Sequence, residues 1–214
     1  VEFDNGVSLT LMYRKPATTF NQKAEALYQQ NVLSVMEEVW HKEGERIDLV
    51  IFLNGIAIFT FELKCNTSGQ NYEDAIRQYK FERDYKTRLL KFKAGCLAHF
   101  AMDLNEVYMC TNLKGKSSFF LPFNKGCGVG IHSGKGNPHN ENGINVSYMW
   151  EDILKKDTVL YLIDKIIFLQ KETKKDPDTG KRVTNETLIF PRYHQFNAVR
   201  KLVADVVEHH SEKN

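Results

Sequence analysis

Three ionisable residues stand in one apolar stretch, IDLVIFLNGIAIFTFELK from Ile47 to Lys64: Asp48 near its start, Glu62 and Lys64 at its end. Apolar strands rarely carry ionised groups, because burying an unpaired carboxylate costs several kcal/mol or forces a shift in its pKa. Two carboxylates converging on one point repel each other, and a hard divalent cation held by them and by several waters relieves the repulsion. Magnesium is the natural choice. Such an ion lowers the pKa of a bound water and stabilises charge on a phosphoryl oxygen, while a Lys ammonium beside it orients the nucleophile or the phosphate. That is the chemistry of phosphodiester hydrolysis. The other reading of the same residues is a strand-end ion cluster in which Lys64 and Arg46 pair the two acids.

Asn54-Gly55 at the middle of the stretch is the strongest short-range signal of a β-hairpin. Glu62 and Lys64, two apart, share a face of the second strand. Whether Asp48 joins them depends on the turn. With a two-residue loop at Asn54-Gly55, Leu53 faces Ile56 and Asp48 falls on the face opposite to Glu62, so a metal site fails. With a three-residue loop, Leu53 to Gly55, Asp48 lies opposite Thr60 and Glu62 becomes its diagonal neighbour on the same face, about 7–8 Å away at Cα.

Around the hairpin, residues 7–13 alternate as a short strand stopped by Pro16, 21–31 read as a helix, and 32–40 as a strand. A polar interval leads into a charged helix from about Tyr72 to Tyr85. Strands follow at 96–102 and 107–111, and 119–123 is a short apolar stretch. A glycine-rich loop covers 124–143, and 148–170 is helical with Ile153, Leu160, Leu162 and Ile166 on its buried face. The charged loop 171–187 is the best candidate linker. Leu188 to Pro191 is a short apolar run, and His194 to Val207 is an amphipathic helix. The order of elements predicts an α/β domain with a mixed central β-sheet flanked by helices.

The composition bounds the rest. The 214 residues are 42% hydrophobic and 12% aromatic with a net charge of +2, which excludes a disordered tail and offers no electrostatic footprint for nucleic acid. No long uncharged apolar run is present to span a membrane. Cysteines 65, 96, 110 and 127 are too widely spaced for a CxxC site and no stretch resembles a signal peptide, so a reduced cytoplasmic setting is expected. The glycine-rich GCGVGIHSGKG fails as a phosphate loop, because Val129 and Gly136 stand where Gly and Ser or Thr are needed. Cys127, His132 and His139 lack a fourth zinc ligand. His99 reads as a satisfied core histidine, and the basic run Lys80, Arg83, Lys86, Arg88, Lys91 and Lys93 as a solvated helix face.

Asp48 followed by Glu62-Leu63-Lys64 resembles the D…ExK signature of the PD-(D/E)xK nuclease superfamily. More narrowly, LVIFLNGIAIFTFELK, DAIRQYKFERD, CLAHFAMDLNEVYMCTNLKG, SSFFLPFNKG, GNPHN and FPRYHQFNAVRKLVADV resemble, in order, the N-terminal nuclease region of the motor (R) subunit of type I restriction enzymes. The resemblance implies a restriction-endonuclease-like core. It makes Asp48 and Glu62 ligands of Mg²⁺, Leu63 a backbone ligand and Lys64 the catalytic ammonium. Ile47 replaces the proline of the signature. Of the QxxxY motif that often follows, Gln78 is present, but Glu82 stands at the tyrosine position. PRYHQFNAVRK resembles the opening of a helicase-like motor domain, where Gln195 would read the adenine of ATP. No Walker loop accompanies it, so ATP would be used by the full-length subunit and not by these residues.

The resemblance thus implies a nuclease domain at 1–170 with its core at about 20–125, a linker at 171–187, and the start of the motor domain at 188–214. The chain, which begins at Val1, is expected to be cut on its N-terminal side and to end as the motor begins. Partners implied are double-stranded DNA and the methyltransferase (M) and specificity (S) subunits; no residue is assigned to DNA contact, and whether Glu25 or Glu37 joins the metal shell stays open. Two other readings stand beside this one: a catalytically silent DNA-docking module, and a stand-alone nuclease of the same superfamily.

Overall fold

The alternation in the hairpin region builds the centre of a sheet. A computed structural model describes residue 6 and residues 10–18, 20–127, 135–175 and 180–211. Helix α1 (Gln22–Gln29) starts on Asn21, whose side chain accepts from the Ala24 N–H. Strands β1 (Leu33–Lys42), β2 (Glu45–Leu53) and β3 (Ile56–Leu63) follow as an antiparallel meander. Helix α2 (Tyr72–Phe81) then crosses to β4 (Ala98–Met102), which lies parallel to β3. Antiparallel β5 (Val107–Cys110) and β6 (Leu121–Pro122) complete a six-stranded mixed sheet in the order β1 to β6.

The two faces of the sheet are buried differently. On one, Ala75 and Tyr79 of α2 pack with Val50, Ala101, Cys110 and Leu113. On the other, Phe59, Phe100, Phe123 and Phe190 form an edge-to-face cluster with centroids 5.8 to 5.9 Å apart. This second core is closed by α1 through Tyr28, by helix α3 (Lys156–Tyr161) with helical turns at Met149–Ile153 and Leu162–Ile166, and by Phe196 of helix α4 (Tyr193–Ser211).

Several expectations are corrected by tertiary contacts. Residues 7–9 lie outside the described residues, and 10–13 are in no strand; the Asn31 and Asn54 amides bind the backbone of Tyr13 and Leu11 in place of a ladder. Helix α2 ends at Phe81 instead of Tyr85, because the Asp84 N–H is captured by Glu45 of the β1–β2 hairpin. Most of the expected linker 171–187 is a second hairpin, β7 (Phe168–Lys175) with β8 (Arg182–Ile189), so the end of the helical stretch 148–170 is strand. The pairing of Thr173 with Thr184, joined by a 3.0 Å hydroxyl contact, stabilises a sequence whose charges alone read as loop. In α4, Leu202, Val203 and Val206 are exposed. No helix among the described residues is long and apolar enough to cross a membrane.

The β2–β3 turn decides the site. Asn54 and Gly55 both have positive φ, 50° and 82°, the mirror-image two-residue turn. Leu53 pairs with Ile56 and Phe52 with Ala57, but Ile51 pairs with Phe59, so Ile58 is an inserted bulge residue. Because a left-handed conformation costs an L-residue roughly 1–2 kcal/mol, Gly55→Ala should lower the unfolding free energy by about that amount. Urea denaturation of the two proteins checks it.

Candidate active site

The bulge sets the face on which each acid lies. Below it, Val50 pairs with Thr60 and Leu49 with Phe61, and extending this register one step sets Asp48 directly opposite Glu62. Neither turn considered from sequence gives this result. The loop has two residues, yet the extra residue at Ile58 reverses the parity that a plain two-residue loop would impose. Asp48 and Glu62 therefore share the face covered by α2. The Asp48 carboxylate accepts from the Leu63 N–H at 2.8 Å, which fastens it to the end of β3.

Glu62 is fully buried. Its Oε1 accepts from the Arg83 Nε at 2.6 Å, and Oε2 is buried with no hydrogen-bond partner. Burial pushes the Glu62 carboxyl up to about 8; Arg83 opposes the shift, and the neighbouring Asp48 carboxylate adds to it. Lys64, half-buried, continues the same face and donates its ammonium to Gln78 Oε1 on α2. Its backbone N–H is held by the Met102 carbonyl at 2.9 Å. Asp48, Glu62, Lys64 and Gln78 are thus drawn into one site at the C-terminal end of β3, and Leu63 lies between the acid and the lysine, its side chain partly exposed.

Helix α2 is seated over this site by a buried polar chain. Thr60 Oγ1 lies 2.8 Å from the Tyr79 hydroxyl and 2.8 Å from His99 Nδ1. Desolvation lowers the His99 pKa to about 3, so the ring is neutral, and the expected core histidine is a satisfied one. Tyr79 stands between Gln78, which holds Lys64, and the turn that carries Arg83.

The alternative ion cluster takes a different form from the one considered. Arg46 pairs with Glu38 at 2.9 Å, away from Asp48 and Glu62. The cation that meets Glu62 is Arg83, 9% exposed, so its place in a solvated basic face is corrected. Sequence offers a weak signal for it, since Arg83 lies one turn beyond Gln78 and just past the end of α2. Glu25 bonds Gln29 on α1 and Glu37 lies opposite Leu49 on β1. Among the described residues no group of three or more His, Cys, Asp or Glu gathers to hold a metal, so neither of these acids joins the pair. Residues 128–134 of the glycine-rich loop, His132 among them, lie outside the described residues.

The donor set suits a hard divalent ion. Two carboxylates face one another, and one buried oxygen lacks a partner, which is the arrangement a cation completes while keeping several waters. Thiol and imidazole donors are absent from the pair, which argues against a softer metal.

Residues 13–118 match the family model described as type I restriction enzyme R protein N terminus. A curated relative from Methanocaldococcus jannaschii, a putative type I restriction enzyme MjaVIIIP endonuclease subunit, is 25% identical over 226 residues, covering 98% of this chain. The chain spans 19% of that relative's length.

The raised Glu62 pKa has a consequence for stability. From the ordinary 4.5 up to about 8, the folded protein retains a proton that the unfolded chain has lost. Stability must therefore fall as pH rises through this window, by at most about 1.4 kcal/mol per pH unit, and level off above it. In chelator-treated protein, Glu62→Gln should remove this component, read as the difference between the urea unfolding curves of the two proteins at pH 6.5 and pH 8.

Proposed function

Residues 13–118 belong to the family of type I restriction enzyme R protein N termini, and on that premise we propose that this chain is the endonuclease domain of such a subunit, hydrolysing DNA phosphodiester bonds with Mg²⁺. The observation that carries the reading is the bulged β2–β3 register, with Asp48 opposite Glu62 and an unpartnered carboxylate oxygen between strand and helix. The mixed sheet, with the acid and lysine at the end of a central strand and a helix crossing beside them, supports a restriction-endonuclease-like PD-(D/E)xK core.

In this proposal Asp48 and Glu62 hold the ion, with the Leu63 carbonyl as a further ligand. When bound, Mg²⁺ would supply a more acidic water and charge stabilisation at a phosphoryl oxygen. The chain's own residues do the positioning. The Leu63 N–H fixes one oxygen of Asp48 and leaves the other for the ion. Gln78 holds the Lys64 ammonium at the site by accepting one of its hydrogens, leaving two to orient a water or a phosphate oxygen. Tyr79, Thr60 and His99 keep the helix in register with the strand, so Gln78 does not drift from Lys64.

The wider assignments follow the same premise. Residues 1–170 would supply most of the nuclease domain; 188–214, expected to open the motor, send Phe190 and Phe196 into the nuclease core, and leave Leu202, Val203 and Val206 exposed for a further contact. Gln195 would meet ATP in the full-length subunit; here its Oε1 caps α4 by accepting from the Arg192 N–H at 2.9 Å. Cleavage would follow ATP-driven translocation in a cytoplasmic complex with M and S subunits on double-stranded DNA.

The test is DNA cleavage by the reassembled complex with ATP and Mg²⁺. Asp48→Ala, Glu62→Ala and Lys64→Ala should each reduce cleavage by about 100-fold or more, with ATP hydrolysis retained. Cleavage equal to wild type in all three would refute the assignment.

A further inference from the structure

Arg83 is bound in an unusual way for a residue whose task is to neutralise a carboxylate. Guanidinium groups that serve only as counter-ions tend to engage the acid with two parallel N–H bonds. Arg83 meets Glu62 through Nε alone, at 2.6 Å. Its two amino nitrogens make no protein hydrogen bond among the described residues, and they are not among the buried polar atoms that lack a partner. The side chain is 9% exposed, so the guanidinium keeps only a narrow opening to solvent, between Glu62 and the His41 side of the β1–β2 hairpin.

The backbone on either side of Arg83 is fixed. The Glu82 N–H closes α2 on the Gln78 carbonyl at 2.9 Å. The Asp84 N–H donates to Glu45 at 2.7 Å, Lys42 bonds the Asp84 carboxylate at 3.1 Å, and His41 Nδ1 lies 3.0 Å from the Thr87 hydroxyl. The β1–β2 hairpin thus clamps the turn that carries Arg83, and the residue is held ready instead of being recruited on binding.

We infer that Arg83 is a phosphate-binding residue of this site, holding Glu62 with Nε and presenting its two amino groups to a phosphate oxygen of the DNA strand being cut. The inference rests on the nuclease reading above. Its chemistry is the planar, multi-donor recognition of phosphate that Arg provides and Lys does not. It also supplies a cation at a site where Lys64 already gives one hydrogen to Gln78.

The experiment uses the full-length subunit in its complex, with Arg83→Gln, Arg83→Lys and Asp48→Ala beside wild type. Ca²⁺ binding by calorimetry, urea unfolding, and cleavage as a function of Mg²⁺ are read for each. Arg83→Gln should bind Ca²⁺ at least as tightly as wild type, since a competing positive charge is gone from Glu62, yet cleave about 100-fold more slowly, with no recovery at higher Mg²⁺. Arg83→Lys, which can still neutralise Glu62, should keep the wild-type unfolding midpoint and lose cleavage by about 10-fold or more. Weakened Ca²⁺ binding with cleavage restored by excess Mg²⁺ would make Arg83 a holder of Glu62 and overturn the inference. So would wild-type cleavage in Arg83→Lys, which decides the matter if Arg83→Gln does not fold. Wild-type cleavage in Asp48→Ala would instead remove the nuclease reading itself.

Discussion

Burying Glu62 on a central strand is the constraint around which the rest of this molecule is arranged. A carboxylate fully withdrawn from water must gain a counter-charge, a proton or a metal, and the surroundings of Glu62 provide the first two. Arg83 satisfies one oxygen, and burial, together with the Asp48 carboxylate against it, holds a proton on the group to about pH 8; without that proton the second oxygen has no donor. Replacing Glu62 alone by an apolar residue would leave Arg83 buried without its counter-charge, so the two residues stand or fall as a pair.

The tension is tolerable because neighbouring elements are tied down tightly. Phe61 and Phe100 stack at 4.8 Å on the opposite face, anchoring β3 to β4. The Thr60 hydroxyl sits between Tyr79 and His99, joining the helix to two strands with no exposed link in the chain. The β1–β2 hairpin reaches over the end of α2 and holds Asp84 from two sides. Lys64 follows the end of β3, Gln78 lies on α2 and Arg83 in the turn after it, and they keep their positions because these three attachments leave little freedom between strand and helix.

Much of this was legible in the residues. The Asn54-Gly55 turn, the apolar strands on either side, the start of the helix at Tyr72, and the placing of Glu62 and Lys64 two apart on one strand all follow from local patterns. The errors have a common cause. The expected strand at 7–13 was replaced over 10–13 by a segment bound through asparagine side chains, α2 was cut short by Glu45, and the charged stretch 171–187 paired with itself. In the first two cases a distant side chain satisfied the backbone, and in the third the two halves of a charged segment paired with each other, none of which local propensity registers.

By itself, the sequence determined which groups could do chemistry: two acids and a lysine in an apolar hairpin, with a tight turn between them. It left open whether the acids faced each other, because side chains alternate along a strand and one added residue reverses the face. The tertiary structure decided that point. β4 lies parallel to β3, the Leu97 N–H bonds the Ile58 carbonyl at 2.8 Å, and Phe59 pairs with Ala98. Strand β3 is thereby held in a register that leaves Ile58 as the bulge against β2 and turns Asp48 toward Glu62. Arg83, 21 residues from Glu62, was likewise placed by contacts with the β1–β2 hairpin, which no local spacing around the D…ExK residues encodes.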